Sequence, residues 1–392
     1  MFLAVIILLI TLYFVAEKYI FRTLMLARTR KQRVIYHSFS VLGLLPYCII
    51  TIIGRLTPLT SSTSSVVGSI SFVLLIVNIL CKLPFALGLW GSNRMGRKWP
   101  LVAAKTFSAL AILLLLYGTL WERHQLRTTE ITIHYENLPT EADGLRIVQI
   151  GDIHIGHSPL RHKVMRKMVS EINSLQPDIV IDCGDMINAR YTELDSATME
   201  LLGKIKAPYG VYTIIGNHDR GDYLSGNEEI TSEENIRLLC ERQEAMGWQN
   251  ITDTTTIIKI GSDSIFLTGI GYPKDLGVGS HGVGTDEDYT PRFERQPDGA
   301  FNVIVAHTPS VWSNILAACD AELTLSGHVH AMQIRIPIGP RGWSPAALVY
   351  KHWSGLYKEG QNRLFVTDGI GGAIPFRVGA KPQIVVITLR SK

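Results

Sequence analysis

The chain has 392 residues, 46% of them hydrophobic, and its formal net charge of +4 conceals two unlike segments. Residues 1–127 carry 14 Lys and Arg against two acids, a net +12, whereas residues 128–392 carry 24 against 32, a net −8. A basic, apolar first third excludes a wholly water-soluble chain, and the acidic remainder lacks the basic surface with which proteins hold nucleic acid, so no nucleic-acid partner is expected.

Four apolar stretches lie in the first third, and each approaches the roughly 20 residues that cross a bilayer. They cover Phe2–Ile20, Val34–Ile53, Val66–Trp90 and Leu101–Trp121. The alternative for any one stretch is a buried core helix. For the first stretch it is also a signal peptide, although only Met1 precedes it where a positive segment would be needed. We therefore predict a multi-pass integral membrane protein with about four transmembrane helices over residues 1–127.

Positive charge is unevenly distributed over the connections between these stretches. The first connection holds five basic residues and the third holds three, whereas the second holds only Arg55. Because positive loops stay cytoplasmic, the first and third connections are predicted to lie inside. The fourth span then delivers the acidic domain, residues 128–392, to the extracytoplasmic side, with the lipid bilayer as a partner. Lys82 and Lys105 lie toward span ends, where long side chains reach the interface.

The acidic domain alternates short β-rich runs with helical segments, which predicts an α/β fold. Its first half contains predicted strands at Leu145–Ile150, Asp178–Ile181 and Val211–Ile215, separated by helices at Leu160–Leu175 and Thr192–Ile205. Its second half contains a predicted helix at Ser310–Ala318 and strands at Thr255–Ile260, Ser264–Thr268, Phe301–Val305, Glu322–Leu325, Arg363–Val366 and Gln383–Leu389. The Gly- and Asp-rich segment Lys274–Gln296 is expected to be a surface loop.

Five short motifs occur in a fixed order, each just after a predicted strand. They are Asp152-x-His154, Gly184-Asp185, Gly216-Asn217-His218-Asp219, a lone His307 and Gly327-His328-Val329-His330. The carboxyl ends of strands are the edge where open α/β sheets build their sites, and Asp, His and Asn bind divalent metals without thiolates. Each motif alone has a bland alternative, a surface turn or a hydrogen-bonded core histidine. The ordered set predicts a two-metal hydrolytic site.

Residues 145–389 resemble the calcineurin-like metallophosphoesterases, whose motifs are D-x-H, G-D-x-x-D, G-N-H-D/E, H and G-H-x-H. A later segment, Gly369-Ile370-Gly371-Gly372 followed by Pro375 and Arg377, is similar to the membrane-associated YkuE-like branch of that family. The resemblance implies a four-layer α-β-β-α sandwich, preceded here by the membrane helices.

The resemblance also implies which residues bind the metals. One metal would be held by Asp152, His154 and His330, the other by Asn217, His307 and His328, with Asp185 bridging the two. His218 would be the catalytic residue that stabilises the phosphoryl oxygen or protonates the leaving group. Two divalent ions are expected, and this ligand set suits manganese, zinc or iron.

Two positions depart from the family pattern. Asn188 stands where the family has the second acid of G-D-x-x-D, so the carboxylate that would orient His218 is absent and Asp219 is the candidate substitute. Ala331-Met332 precede Gln333 where the branch has two glycines, a change that concerns the substrate entrance rather than the metal ligands.

The leading hypothesis is a membrane-anchored phosphohydrolase that cleaves a phosphodiester or pyrophosphate outside the cytoplasm, with lipid-linked or envelope molecules as candidate substrates. The alternative is a non-catalytic membrane receptor or regulator that keeps the metals for structure. A transporter formed by the four spans is disfavoured, because no acidic residue lies deep in a span, where ion-coupled transport usually places one.

Overall fold

A computed structural model describes residues 2–38, 40, 61–157, 161–221, 230–273, 276, 285, 287–290, 293, 297, 299–339, 342–372 and 374–392. Contacts divide the chain into two compact units, Met1–Trp121 and Glu122–Lys392. The first unit is mainly helical and the second is α/β.

The helices of the first unit only partly cover the predicted spans. They are α1 (Phe2–Ile20), which continues into a π-helical turn at Phe21–Met25, a segment over residues 30–38, α2 (Ser61–Met95) and α3 (Trp99–Leu120). Among the described residues, two stretches are long and apolar enough to cross a bilayer, Val73–Met95 with 23 residues and Trp99–His124 with 26. The predicted span Val34–Ile53 falls mostly outside the described residues, so a four-helix arrangement stays a prediction.

Lys82 of α2 lies among polar groups of the first unit. Its Nζ is 2.6 Å from Glu17 Oε2, 2.6 Å from Ser40 Oγ and 2.9 Å from the Tyr13 hydroxyl. The sequence predicts that Lys82 extends toward the membrane interface, whereas the structure pairs it with an acid on α1. Pairing lowers the cost of placing a charged group among apolar helices, which explains how α2 accommodates a lysine.

Two six-stranded sheets form the second unit. The strands of the first sheet are β1 (Arg127–Tyr135), β2 (Arg146–Ile150), β3 (Ile179–Asp182), β4 (Val211–Thr213), β5 (Gln249–Asn250) and β12 (Gln383–Ser391). Those of the second are β6 (Thr255–Ile260), β7 (Asp263–Ile270), β8 (Asn302–Ala306), β9 (Leu323–Ser326), β10 (Gly355–Glu359) and β11 (Asn362–Val366). The strand orders are β1-β12-β2-β3-β4-β5 and β10-β11-β9-β8-β7-β6.

Parallel pairing brings the strand ends of each sheet to one edge. In the first sheet β2, β3, β4 and β5 are parallel, and β12 is inserted between β1, to which it is parallel, and β2, to which it is antiparallel. In the second sheet β7, β8, β9 and β11 are parallel. The five motifs follow β2, β3, β4, β8 and β9, so the sequence expectation of ligands at strand ends matches the topology.

Successive residues of a strand face different cores. In β2, Ile147 packs between the two sheets and Val148 packs beneath the helices on the outer face. In β8, Val303 faces the space between the sheets and Ile304 faces away from it. This period of two gives a helix, sheet, sheet, helix order of layers. The first sheet is covered by α4 (Arg161–Ser174), α5 (Ser196–Leu202) and α6 (Ser232–Ala245), and the second by α7 (Trp312–Ala318).

Candidate metal centre

Left-handed backbone turns follow the strands at the predicted ligands. Five of the seven predicted ligands have positive φ angles between 47° and 69°: Asp152, His154, Asp185, His328 and His330. Residues with a Cβ adopt this region at a cost, and such strain persists where the surrounding structure enforces it. The turns change the direction in which these side chains point as the chain leaves each strand.

The predicted ligands converge into three overlapping groups. Within each group the potential ligand atoms lie within 4.8 Å of one another. The groups are Asp152, His154 and His330; His154, Asp185 and His218; and Asp185, His307 and His328. The first group holds the three residues predicted for one ion, and the third holds Asp185 with His307 and His328, two of those predicted for the other. Asp185 also shares the second group with His154 of the first set.

Asp185 lies at the middle of this arrangement and is 1% exposed. Its Oδ2 is 3.2 Å from His307 Nε2 and 3.7 Å from His154 Nε2, while its Oδ1 accepts the backbone N–H of His218 at 2.8 Å. One carboxylate therefore faces imidazoles from both sheets.

Hydrogen bonds on the far side of two imidazoles fix how the rings are presented. His307 Nδ1 lies 2.7 Å from the carbonyl oxygen of Cys183, and His154 Nδ1 lies 2.9 Å from Asn188 Oδ1. Because a carbonyl oxygen only accepts, Nδ1 of His307 carries a proton, so in the neutral ring Nε2 is the nitrogen that can bind a metal. This is how proteins orient metal-binding histidines.

Asn217 and His328 complete the side of the centre that contains His307. Asn217 Oδ1 lies 3.0 Å from His307 Nε2, and His328 Nδ1 lies 3.3 Å from the same nitrogen. An amide oxygen and two imidazole nitrogens thus face one point, a donor set that suits a borderline divalent ion.

Asp152 organises the other side. Its two carboxylate oxygens accept the backbone N–H of His328 at 2.9 and 3.1 Å, and Oδ1 is 3.5 Å from His330 Nε2. A Cβ at Gly369 would lie 2.7 Å from the Cβ of Asp152 and 2.9 Å from His330 Nδ1. Glycine is therefore required for the C-terminal loop to pass this close to two ligands.

Asp185, His307 and Asp152 are among the buried groups whose pKa values are strongly shifted. Burial opposes the charge of Asp185, but the neighbouring His307 and His218 outweigh it and hold the pKa of Asp185 well below its usual range. Asp185 in turn raises the pKa of His307 to about 10 against the opposing effect of burial. Burial raises the pKa of Asp152 to about 7. Shifts of this kind concentrate at functional sites.

His218 is oriented by a backbone group. Its Nδ1 lies 2.8 Å from the carbonyl oxygen of Asn188, so Nδ1 carries the proton and Nε2 is the nitrogen left for the predicted catalytic role. The Asp219 carboxylate, which the sequence offers as the orienting acid, instead accepts the backbone N–H groups of Asp185 and Gly216 at 2.8 and 2.9 Å. Position 188 thus has no acidic side chain to orient His218, and the backbone carbonyl of Asn188 orients the ring instead.

The departure at Ala331-Met332 has a conformational consequence. Ala331 and Met332 have φ angles of 49° and 45°, and the run of positive φ continues to Gln333 at 57°. Glycines enter this region without the steric cost that a Cβ imposes. The Gln333 side chain then holds the C-terminal loop, accepting from Ile374 N–H at 2.9 Å and donating to the carbonyls of Ile374 and Phe376 at 2.8 and 2.7 Å.

Two tyrosines beside His328 were missed in the sequence. The Tyr272 ring is 5.7 Å from the His328 ring, and the Tyr350 hydroxyl is 3.3 Å from His328 Nε2. Tyr272 could have been found, because Gly271-Tyr272 follows β7 in the same strand, small residue and polar residue pattern as the motifs. Tyr350 follows no strand and has no comparable signal.

Sequence comparison places these residues in a known family. The model of the calcineurin-like phosphoesterases matches residues 145–332. The chain is 30% identical over 280 residues to the uncharacterized metallophosphoesterase YkuE of Bacillus subtilis, a match that covers 70% of this chain and 89% of YkuE. The chain belongs to the calcineurin-like phosphoesterase family. It is therefore a metal-dependent phosphoesterase, and its candidate metal-binding groups suit the divalent ions that this family uses.

Two further relatives of this metallophosphoesterase have informative names. The transmembrane protein with metallophosphoesterase domain of Danio rerio is 30% identical over 293 residues, which cover 73% of this chain and 63% of that protein. The UDP-2,3-diacylglucosamine pyrophosphatase LpxG of Chlamydia trachomatis is 25% identical over 321 residues, which cover 72% of this chain and 94% of LpxG.

Proposed function

We propose that this metallophosphoesterase is a membrane-anchored, dinuclear-metal phosphohydrolase that cleaves a phosphodiester or pyrophosphate bond on the extracytoplasmic side. The observation that carries the proposal is the position of Asp185, which groups with His154 of one predicted ligand set and with His307 and His328 of the other. One ion would be held by Asp152, His154 and His330 and the other by Asn217, His307 and His328, with Asp185 shared.

The side chains around the ions would divide the remaining work. Two divalent ions supply charge stabilisation for the phosphoryl group and lower the pKa of a water molecule. His218, held through Nδ1 by the Asn188 carbonyl, presents Nε2 to a phosphoryl oxygen or to the leaving group and can donate a proton there. The hydrogen bonds to His154 and His307 keep both rings in place before the substrate arrives.

Two observations support a phosphodiester or pyrophosphate as the substrate, and a lipid-linked molecule among such substrates. LpxG is named a pyrophosphatase of a diacylated sugar nucleotide. The present chain also carries two helical stretches that can cross a bilayer by length and composition. An enzyme tethered in this way meets amphipathic substrates at the membrane surface more often than it meets water-soluble substrates.

The extracytoplasmic orientation rests on the basic first and third connections. It is tested with Ser391→Cys in a background in which the other cysteines are replaced. A membrane-impermeant maleimide added to intact cells should label this cysteine. Labelling only after the cells are opened would place the domain in the cytoplasm.

Hydrolysis is tested with the full chain in lipid nanodiscs, loaded in turn with Mn²⁺, Zn²⁺ and Fe²⁺. We expect turnover of bis(4-nitrophenyl) phosphate or of a pyrophosphate diester, and at least about a hundredfold loss in Asp185→Asn and in His218→Ala. The first substitution removes the charge of the proposed shared metal ligand, and the second removes the proposed proton donor. Glu200→Gln on the exposed face of α5 is the control. Two bound metals without hydrolysis of any ester would favour the non-catalytic receptor.

A further inference from the structure

Exposed apolar side chains are concentrated in one short segment of the second unit. Among the described residues of this unit, five large hydrophobic side chains are exposed, and four of them lie within residues 336–348. These four are Ile336, Ile338, Trp343 and Leu348, which are 41, 66, 40 and 78% exposed. Single exposed apolar residues are ordinary on a protein surface, whereas a concentration of them marks an interaction site.

A short hairpin holds two of these side chains together. Ile336 N–H donates to the Trp343 carbonyl and Trp343 N–H donates to the Ile336 carbonyl, both at 2.8 Å, which makes the two residues an antiparallel pair. Residues paired in this way place their side chains on the same face. Gly339 and Gly342, between them in the sequence, have φ angles of 72° and 76°. The hairpin therefore presents an isoleucine and a tryptophan side by side.

The base of the loop formed by residues 331–348 is fixed to the rest of the second unit. The buried Ser344 hydroxyl donates to the Ala331 carbonyl at 2.6 Å, and Arg335 Nη2 lies 2.7 Å from both carboxylate oxygens of the buried Asp368. Ala331 directly follows His330, a predicted metal ligand. The 331–348 loop thus leaves and re-enters the domain at the edge of the candidate metal centre.

The charge of this segment is opposite to that of its domain. Residues 331–358 hold four basic residues and no Asp or Glu, whereas residues 128–392 carry a net charge of −8. Two of the four, Lys351 and Lys358, have exposed side chains. Tryptophan is enriched at the headgroup level of membranes, and Lys and Arg are attracted to anionic lipids. Exposed apolar groups, a tryptophan and basic residues therefore occur together in one segment of an acidic domain.

An anionic lipid surface fits this combination better than a protein partner does. The core of a protein interface is depleted of lysine, whereas a lipid headgroup layer accepts lysines beside apolar side chains. The chain also contains two helical stretches that can cross a bilayer by length and composition, so it needs no second protein to bring it to lipid.

We propose that the 331–348 loop is a membrane-docking surface of the catalytic domain. Ile336, Ile338, Trp343 and Leu348 enter the headgroup region of an anionic bilayer, and Lys351 and Lys358 lie near the lipid phosphates. The inference goes beyond the proposed function, because it concerns how the domain meets lipid and holds whichever ester is cleaved. Docking through this loop would place the edge of the metal centre at the headgroups.

The test measures lipid contact at the loop in the full chain, with one chain in each nanodisc. Ile338→Cys is labelled with the fluorophore NBD in a background in which the other cysteines are replaced, and the discs contain phosphatidylcholine and phosphatidylglycerol. Interfacial side chains lie about 5–10 Å into the boundary of headgroups and acyl chains, so 5-doxyl lipid should lower the fluorescence by about half or more. Ile257→Cys, 55% exposed on β6, is the labelled control and should keep its fluorescence.

A second pair of variants tests the charges. Lys351→Gln combined with Lys358→Gln should remove the additional quenching that phosphatidylglycerol gives over phosphatidylcholine alone. Lys206→Gln combined with Lys259→Gln makes the same change at two exposed positions outside the segment and should keep that addition. Both pairs are read with the label at position 338. Because fluorescence reports lipid contact without any turnover, the result stands whether or not the chain hydrolyses an ester.

Quenching at position 338 and not at position 257 would support docking through this loop. Absence of quenching at both positions, or equal quenching at both, would overturn the proposal. A blue shift of the label at position 338 that doxyl lipid does not quench, and that appears only when two chains share a disc, would assign the surface to a second copy of the chain. That result would also overturn docking to lipid.

Discussion

The Asp219 carboxylate accepts the backbone N–H of Asp185 at 2.8 Å. Asp219 directly follows His218, the candidate catalytic residue, and Asp185 is the candidate ligand shared by both metals, so this hydrogen bond links the two parts of the site. The same oxygen accepts from Gly216 N–H at 2.9 Å, and the other accepts from Ile187 N–H at 3.1 Å. Three main-chain donors from two strand exits thus converge on one buried side chain. Asp219 sets the position of Asp185 through the backbone.

Replacing Asp219 by Asn should therefore destabilise the domain. The amide retains one acceptor oxygen and turns a donor toward backbone N–H groups, so at least one buried N–H loses its partner, at a cost of about 1–3 kcal/mol. Urea unfolding followed by tryptophan fluorescence measures this change. Glu200→Gln, a similar substitution at an exposed site, should leave the unfolding midpoint unchanged, and equal midpoints in the two variants would refute the backbone role.

Asn188→Ala should weaken metal binding more than turnover at saturating metal. The substitution removes the oxygen 2.9 Å from His154 Nδ1 but keeps the carbonyl that holds His218. Loss of such a supporting contact typically lowers metal affinity by about 10–100-fold. Titrating activity with buffered Mn²⁺ measures the shift, with Asn314→Ala as the control. A drop in kcat without a change in metal affinity would assign Asn188 to another role.

Gly369→Ala should remove one of two bound metals. The added methyl would overlap Asp152 and His330, both predicted ligands of the same ion, at a φ of +72°. Metal analysis by mass spectrometry should then give about one ion per chain where the wild type gives two. Gly360→Ala is the control, because its φ of +57° gives similar backbone strain while nothing lies within 4 Å of the added carbon. Full metal content in Gly369→Ala would contradict the assignment.

Glu322 should make stability depend on pH. Burial raises the pKa of Glu322 despite hydrogen bonds from Asn302 N–H and the Asn137 amide. The folded state thus binds this proton more tightly, so the stability that the group contributes is fully present below the unfolded pKa, near its ordinary value of 4.5, and is lost as pH rises through the folded pKa. The stability of the wild type relative to Glu322→Gln should fall over that window in urea unfolding. A constant difference would refute the coupling.

Strands with continuous apolar runs could be predicted from the sequence, because burial on both faces leaves an unambiguous pattern. Leu145–Ile150 and Phe301–Val305 are found with bounds that differ by one residue, and all five residues of β8 are buried. Thr255–Ile260, in which exposed and buried residues alternate, is found with the predicted bounds. β1 was missed because its exposed and half-buried residues alternate at the edge of a sheet, and β5 because two residues carry no period.

The metal-ligand candidates could be predicted because strand ends and ligand chemistry coincide along the chain. The contacts that orient them could not. The Asn188 side chain contacts His154 and its backbone carbonyl contacts His218. The Asp219 carboxylate binds the backbone N–H of Asp185 rather than the neighbouring His218 ring. Such roles depend on which backbone atoms a loop brings near, and residue type alone does not encode that.

The position of β12 in the first sheet has a consequence for synthesis. Its residues Gln383–Ser391 pair on one side with β1, the first strand after the helical unit, and on the other with β2, which leads to Asp152. A ribosome adding roughly 5–20 residues per second makes β12 some tens of seconds after β1. During that interval β1 has no neighbour in the sheet and β2 lacks one of its two, so the first sheet is complete only after the nascent chain has passed residue 391.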